Sequence, residues 1–225
     1  MVLQEVMKRI FDVIVVSIGL LVISPLMLAA AILVRLTSPG PVLFRQKRVG
    51  RGGRPFFILK FRTMVQDAPK RGGPITFGDD PRITRIGRLL RRTKLDELPQ
   101  LINVLKGDMS LVGPRPEIPK YVEMFRQDYE EILRVRPGIT DLASIKYSDE
   151  AAVLGQAADP EKEYIERILP EKIRLAKEYV RRSSCCFDVA LILLTFLTVC
   201  RLHKPSSAET SPPLPRNPSR SGTTP

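Results

Sequence analysis

Hydrophobic and charged positions separate sharply along the chain. Residues 13–34, VIVVSIGLLVISPLMLAAAILV, form the longest apolar run, 22 residues without a charge. As a helix at ~1.5 Å per residue, this run can reach across a hydrocarbon core of ~30 Å. Lys8 and Arg9 precede it. Arg35, Arg45, Lys47, Arg48, Arg51, Arg54, Lys60 and Arg62 follow it before the first downstream acid, Asp67. Positive charge on both flanks conflicts with a simple crossing, because cytoplasmic loops hold the Lys/Arg excess. Pro25 sits mid-run, where it removes a backbone hydrogen bond, and Ser24 beside it can bond a freed carbonyl. The pattern predicts a bent, re-entrant helix that enters and leaves on one face. A plain kinked span oriented by the larger downstream charge is the alternative. A cleaved signal peptide fits poorly, since apolar residues continue past Ala29-Ala30-Ala31.

Further along, the period changes. Ser38-Pro39-Gly40-Pro41 ends the helix. Residues 42–48 and 55–61 read as a β-hairpin around Gly50-Arg51-Gly52-Gly53. Residues 65–80 read as a loop; Asp79-Asp80-Pro81 suits a turn or cap, with metal ligation as the alternative. Arg82, Arg85, Arg88 and Arg92 then recur at helical steps opposite Ile83, Ile86 and Leu90, a basic amphipathic helix for an anionic surface. Helices are expected at 98–106, 118–135, 160–169 and 171–182, the last two separated at Pro170, with a short strand within 139–147. Residues 189–200 are apolar but too few to span, so they suit a helix lying in the interface or packed on the first one. The tail is rich in Pro and Ser and reads as disordered. The resulting division is a re-entrant membrane helix at 1–37, a catalytic domain at 38–184, an apolar membrane-associated helix at 185–203 and a tail at 204–225. The fold class is α/β, mostly helical with a small β-hairpin, joined to the re-entrant N-terminal helix and to amphipathic interfacial helices.

Charge narrows the partners. The 225 residues carry a formal net charge of +12, which implies a polyanionic neighbour such as nucleic acid, anionic membrane lipid or a phosphorylated substrate. Aromatics make up 6% with no Trp, leaving no obvious platform for stacking bases, and an apolar anchor favours the membrane surface over nucleic acid. Cys185, Cys186 and Cys200 show no C-x-x-C spacing, so a zinc site is not indicated, and they read as small apolar residues of a reducing compartment. His203 is the only histidine. Acid, base or nucleophilic work therefore falls to Asp, Glu, Lys, Ser, Thr or Tyr.

The stretch most suited to chemistry is 93–117, TKLDELPQLINVLKGDMSLVGPRPE. Asp96 and Glu97 are adjacent, so on a helix they point in different directions and can take different jobs, one attacking while the other holds a metal or positions a water. Thr93-x-x-Asp96 also fits a capping box, with Pro99 in the first helical turn. Arg115 lies between two prolines, on a backbone pre-set to present one guanidinium to phosphate oxygens; a solvated loop arginine is the plainer reading. Lys60 and Arg62, two apart on a strand, share a face and are candidate phosphate contacts, unless that edge is merely solvated.

Five motifs occur in order: Lys60-Phe61-Arg62-Thr63-Met64, Asp80-Pro81-Arg82-Ile83-Thr84, Leu95-Asp96-Glu97-Leu98-Pro99-Gln100, Gly107-Asp108-Met109-Ser110-Leu111-Val112-Gly113-Pro114-Arg115-Pro116-Glu117 and Arg136-Pro137-Gly138-Ile139-Thr140. Together they resemble the bacterial sugar transferase family, the monotopic phosphoglycosyl transferases, over roughly residues 8–145. The resemblance implies transfer of a sugar 1-phosphate from a UDP-sugar to polyprenol phosphate with release of UMP, at the cytoplasmic face of the bacterial inner membrane, beginning polysaccharide or glycoconjugate assembly. It implies Asp96 as nucleophile forming a phosphosugar-enzyme, and Glu97 helping to hold Mg²⁺ or assist the acceptor. Arg115, with Lys60 and Arg62, would offset phosphate charge. It also implies a membrane helix broken at the Ser24-Pro25 pair. Asp141 stands where the family usually has glycine. Direct metal-assisted transfer, with Asp96 and Glu97 only ligating Mg²⁺, and a non-catalytic basic membrane scaffold are the rival readings. The sugar, the pathway, the prenol length and the oligomeric state are not encoded legibly.

Overall fold

The computed structural model describes residues 2–73, 75–78, 80–147 and 150–202, with 2–4 and 199–202 described as backbone only. Asp79, His203 and the 204–225 tail lie outside the described residues. The chain opens with α1 (Val2–Thr37), helical through Pro25. Proline 25 cannot donate to the Leu21 carbonyl four residues back. The Ser24 hydroxyl does so instead, at 2.9 Å, so the freed acceptor stays satisfied in an apolar stretch where an unpaired carbonyl is costly.

The hairpin forms as expected. Strands β1 (Leu43–Val49) and β2 (Pro55–Phe61) pair antiparallel, Leu43 opposite Phe61 and Val49 opposite Pro55. A two-stranded sheet leaves the far edge of β2 open, and Asn103 closes it. Its Oδ1 accepts from Leu59 N (3.0 Å) and its Nδ2 donates to Phe57 O (2.8 Å), as a third strand would. Asn103 belongs to α4 (Gln100–Lys106), so one buried amide fixes helix against strand.

Between β2 and α4 lie α2 (Ala68–Arg71) and α3 (Arg85–Arg92). Thr84 caps α3, its hydroxyl oxygen accepting from Gly87 N at 2.9 Å. The Arg stripe is only partly as expected. Arg82 lies before the helix in a buried pair with Asp80, whose Oδ1 also accepts from Arg82 N (2.9 Å), so Asp80 closes a turn. Burial of Ala30, Val34, Phe61 and Leu90 in one cluster, with Ile86 against it, shows that α1 occupies the apolar side of α3. Arg85, Arg88 and Arg92 face outward with Leu89.

The second half is helical around a short parallel ladder, β3 (Ser110–Val112) beside β4 (Gly138–Thr140). Residues 118–135 are two helices rather than one, α5 (Pro119–Met124) and α6 (Arg126–Ile132), because Phe125 leaves helical geometry (φ −116°, ψ 38°). It packs on a core of Tyr121, Tyr129, Ile132, Leu154, Tyr164 and Ile173. Asp141 caps α7 (Leu142–Lys146), accepting from Ser144 N at 2.8 Å. After α8 (Glu150–Gly155) and α9 (Pro160–Glu163), a wider π turn at Tyr164–Ile168 leads directly into α10 (Leu169–Arg182). Pro170 therefore separates nothing. It falls at the start of α10, immediately after the wider π turn.

The last helix, α11 (Cys185–Leu202), is longer than its apolar stretch. Cys185 and Cys186 are exposed rather than buried. A buried polar knot ties α11 to the start of the chain. Lys8 pairs with Asp188 and donates to Tyr179 OH and Val112 O, each at 2.9 Å, while Tyr179 OH donates to Asp188 Oδ1 at 2.7 Å. Nearby, Arg9 donates to the Val104 and Leu105 carbonyls at the C-terminus of α4, where a cation suits the unsatisfied carbonyls. Val16 joins Phe56, Ile58, Val104 and Met109 in a further core. Both halves of α1 thus pack on the same globular body.

The approach of α3 to Thr63 requires glycine at position 87. A Cβ there would stand 1.9 Å from the Thr63 carbonyl oxygen. Alanine adds roughly 1 kcal/mol of helix propensity, against an overpacking cost at or above the top of the usual ~1–3 kcal/mol range. Gly87→Ala is expected to destabilise the protein by roughly 2 kcal/mol, read as a lower midpoint in thermal unfolding of the detergent-solubilised chain.

Candidate functional site

Asp96 and Glu97 occupy a single 3₁₀ turn, Leu95–Glu97, and not the first turn of a capped α-helix. Thr93 ends α3 instead, its hydroxyl donating to the Leu89 and Leu90 carbonyls (2.9 and 3.1 Å), so the capping box is not formed. Lys94 then turns the chain in the left-handed region, φ 58°, ψ 11°. Residues in a 3₁₀ turn are ~120° apart, and the two carboxylates diverge accordingly.

Glu97 is held on two sides. Lys60 Nζ donates to its Oε1 at 2.7 Å. Arg115 makes a two-pronged pair with it, Nη1 to Oε2 at 3.2 Å and Nη2 to Oε1. Burial alone would push Glu97 up, but Arg115 and Lys60 together outweigh it and hold this carboxyl well below the ordinary glutamate range. Arg115 is raised, chiefly by the Glu97 charge. Burial lowers Lys60, with Glu97 opposing.

Asp96 is different. It is 7% exposed, and among the described residues no hydrogen-bond donor reaches its carboxylate. Burial pushes it up, the Glu97 charge adds to this, and Lys60 and Arg91 oppose it. One neighbour is therefore a pinned, neutralised anion and the other a free carboxyl made more basic than usual, which is the state suited to attack or proton transfer.

Three distant stretches deliver this arrangement. Lys60 stands on β2, braced by Asn103 through its neighbour Leu59. The Gly113–Pro116 turn is hung between the ladder and the hairpin by Gly113 N to Thr140 O, Gly138 N to Pro114 O and Val49 N to Glu117 O, all 3.0 Å. Arg48 donates to Pro116 O and to Glu117, whose other oxygen accepts from Tyr164 OH at 3.1 Å. These bonds hold the backbone on either side of Arg115.

The acid pair opens into a cleft of about 1450 Å³, lined also by Lys60, Arg62, Arg91, Arg115 and Lys172. That exceeds a typical small-molecule site of ~300–1,000 Å³. Arg62 is not among the cations on Glu97. Its Nη2 donates to Ser38 O (2.7 Å) and Ser38 Oγ (2.8 Å) at the end of α1. Ser24 and Pro25 are not among the residues that line this cleft. Arg91 is a cation the basic stripe did not reveal. It is turned inward beside Arg92, its Nε donating to Thr63 Oγ1 at 2.8 Å, near enough for its charge to act on Asp96. An arginine out of step with the outward stripe was its only trace in the sequence. Among the described residues no cluster of three or more His, Cys, Asp or Glu is set for a metal. Glu97 already carries Lys60 and Arg115, so a magnesium ion at this acid pair would compete with those cations for its oxygens.

The family model described as bacterial sugar transferase matches residues 3–202. UDP-N-acetylgalactosamine-undecaprenyl-phosphate N-acetylgalactosaminephosphotransferase of Aeromonas hydrophila is 42% identical over 197 residues, covering 85% of this chain and 43% of the relative. UDP-glucose:undecaprenyl-phosphate glucose-1-phosphate transferase of Escherichia coli is 40% identical over 196 residues, covering 85% and 40%. Exopolysaccharide production protein ExoY of Sinorhizobium fredii is 32% identical over 208 residues, covering 86% and 85%. The chain spans less than half the length of the first two and most of the third.

Glu97→Gln leaves two buried cations facing a neutral side chain. It is expected to cost roughly 3 kcal/mol, the low end for a broken buried pair because Arg115 stays partly exposed. A carboxyl whose folded pKa is depressed stabilises the fold above its unfolded value of ~4.3 and loses that contribution as pH falls toward the folded pKa. Between about pH 5 and 3, denaturant unfolding should therefore show the wild type losing stability more steeply than Glu97→Gln.

Proposed function

The chain belongs to the bacterial sugar transferase family, and we propose that it transfers a sugar 1-phosphate from a UDP-sugar to polyprenol phosphate, releasing UMP. The observation that carries the reading is the division of labour at the acid pair: Glu97 is bound by Lys60 and Arg115, while the Asp96 carboxylate lines the cleft with no donor on it among the described residues.

Asp96 attacks the phosphorus that bears the sugar. A bond forms from its carboxylate oxygen to phosphorus, the bond to the bridging oxygen breaks, and UMP leaves with those electrons. The acyl phosphate is then attacked by a phosphate oxygen of the lipid, which displaces the carboxylate and yields the lipid diphosphosugar. Anion attacks anion in both steps, so nearby positive charge is the principal catalytic resource. Lys60 and Arg115 supply it from Glu97's side and Arg91 from the other. Mg²⁺ would be held by Asp96 and Glu97 and would supply further neutralisation of phosphate charge. Pinning Glu97 leaves Asp96 as the freer nucleophile.

The site works at the cytoplasmic face of the inner membrane, with α1 as a re-entrant hook and α11 beside it. Supporting this, α1 is long and apolar enough to cross a bilayer, yet its first half packs on Phe56 and Val104 and its second half on Phe61 and Leu90 of the same body. A straight span would carry one end away from that body. Exposed Ile18, Leu21, Val22 and Leu28 on α1, and Leu193, Phe196 and Leu197 on α11, offer apolar surface to acyl chains.

Two experiments test the reading. Mixed with a reactive UDP-sugar and no lipid, the wild type should release a burst of UMP equal to the enzyme present, and Asp96→Asn should release none. A full burst from Asp96→Asn would refute the nucleophile. For topology, Glu5→Cys and Leu36→Cys, in a chain with Cys185, Cys186 and Cys200 replaced by Ser, should resist an impermeant maleimide added outside spheroplasts. Both should label after permeabilisation. Labelling of one end from outside would refute the hook.

A further inference from the structure

Arg62 is buried to 6% exposure, and its guanidinium is only partly used. Nη2 serves the Ser38 carbonyl and hydroxyl, whereas Nε and Nη1 are shielded from solvent without a hydrogen-bond partner. A buried donor without a partner costs roughly 1–3 kcal/mol, and more when it belongs to a charged group. Burial and the neighbouring Arg35 charge both disfavour the cation. Capping the end of α1 does not account for this. A lysine could reach the Ser38 carbonyl without stranding two further donors.

The position is informative. Arg62 lines the same cleft as Asp96, and it is bonded to Ser38, just past the end of α1. Its Nη1 presses on the turn after α1, so closely that a Cβ at Gly40 would lie 2.5 Å away, with Gln66 Oε1 at 3.1 Å from the same point. The cleft's central cations, Lys60 and Arg115, are already on Glu97. Arg62 is a cation with unmet donors, lining the cleft beside the end of the apolar helix α1.

We propose that Arg62 binds the phosphate of the lipid acceptor, its Nε and Nη1 donating to the phosphomonoester oxygens once the Gln66 side chain gives way. This rests on the transferase reading and assigns one part of that site. The chemistry recognised is a phosphate monoester at the bilayer edge, and the acceptor lipid is the source that brings it to the reacting carboxylate. A phospholipid headgroup carries a phosphate diester with lower charge.

The test separates the substrates. UMP release is followed in neutral detergent micelles while UDP-sugar and polyprenol phosphate are varied in turn. Arg62→Lys and Arg62→Gln should lower kcat/KM for polyprenol phosphate roughly ten- to a hundred-fold, the range for a lost charged hydrogen bond. They should leave kcat/KM for the UDP-sugar within about twofold. Ser38→Ala, which removes a capping bond but keeps the guanidinium, should change neither substantially. Equal losses for both substrates would make Arg62 a structural cap only and overturn the proposal, as would no loss for either. A defect that appears only when phosphatidylglycerol is added would assign the donors to a headgroup and also overturn it. Absence of UMP release from the wild type with every UDP-sugar would instead defeat the transferase reading on which the proposal rests.

Discussion

One carboxylate holding two cations organises the part of this molecule around the acid pair. Glu97 brings Lys60 from the hairpin and Arg115 from the proline-framed turn to a single point. Without that anion, a lysine and an arginine would face one another in a largely buried space, where like charges are strongly unfavourable. The same pair of contacts leaves Asp96 beside positive charge yet without a direct partner among the described residues. Its burial makes it a better base than an exposed aspartate, while the surrounding cations temper the repulsion that a phosphate anion would otherwise meet.

The rest of the fold keeps those three stretches in register. Asn103 completes the open edge of β2 and thereby fixes the strand that carries Lys60. Glu117, between Arg48 and Tyr164, fixes the turn that carries Arg115. Gly87 lets α3 settle on Thr63, which brings Arg91 toward Asp96. The apolar helices are bound to this body by Lys8, Asp188 and Tyr179. This knot fixes the distance between the apolar helices and the acid pair, which the proposed transfer to a lipid phosphate would require.

Much of this was legible in the order of residues. The charge-free run, the hairpin and its turn, and the acid pair followed by a glycine-proline-arginine-proline turn all have local signatures. Strand parity marked Lys60 and Arg62 as a pair. It did not reveal that they serve different partners, because that depends on where Ser38 and Glu97 come to lie. The β3–β4 ladder has strands of three residues each, too short for alternation to register. The π turn ahead of Pro170 and the break at Phe125 answer to packing on the tyrosine core, which local propensity does not encode. Thr93 had the spacing of an N-cap, but its hydroxyl found the preceding helix's carbonyls first.

The central claim is that the division between the two adjacent acids decides which one reacts. The direct measurement is to incubate the protein with a UDP-sugar in the absence of lipid, reduce any acyl phosphate with borohydride, and sequence the peptide spanning residues 93–117 by mass spectrometry. Conversion of residue 96 to homoserine, with Glu97 intact, is the result this account predicts. Reduction at residue 97 instead, or no reduced residue in a preparation that turns over with lipid present, would contradict it.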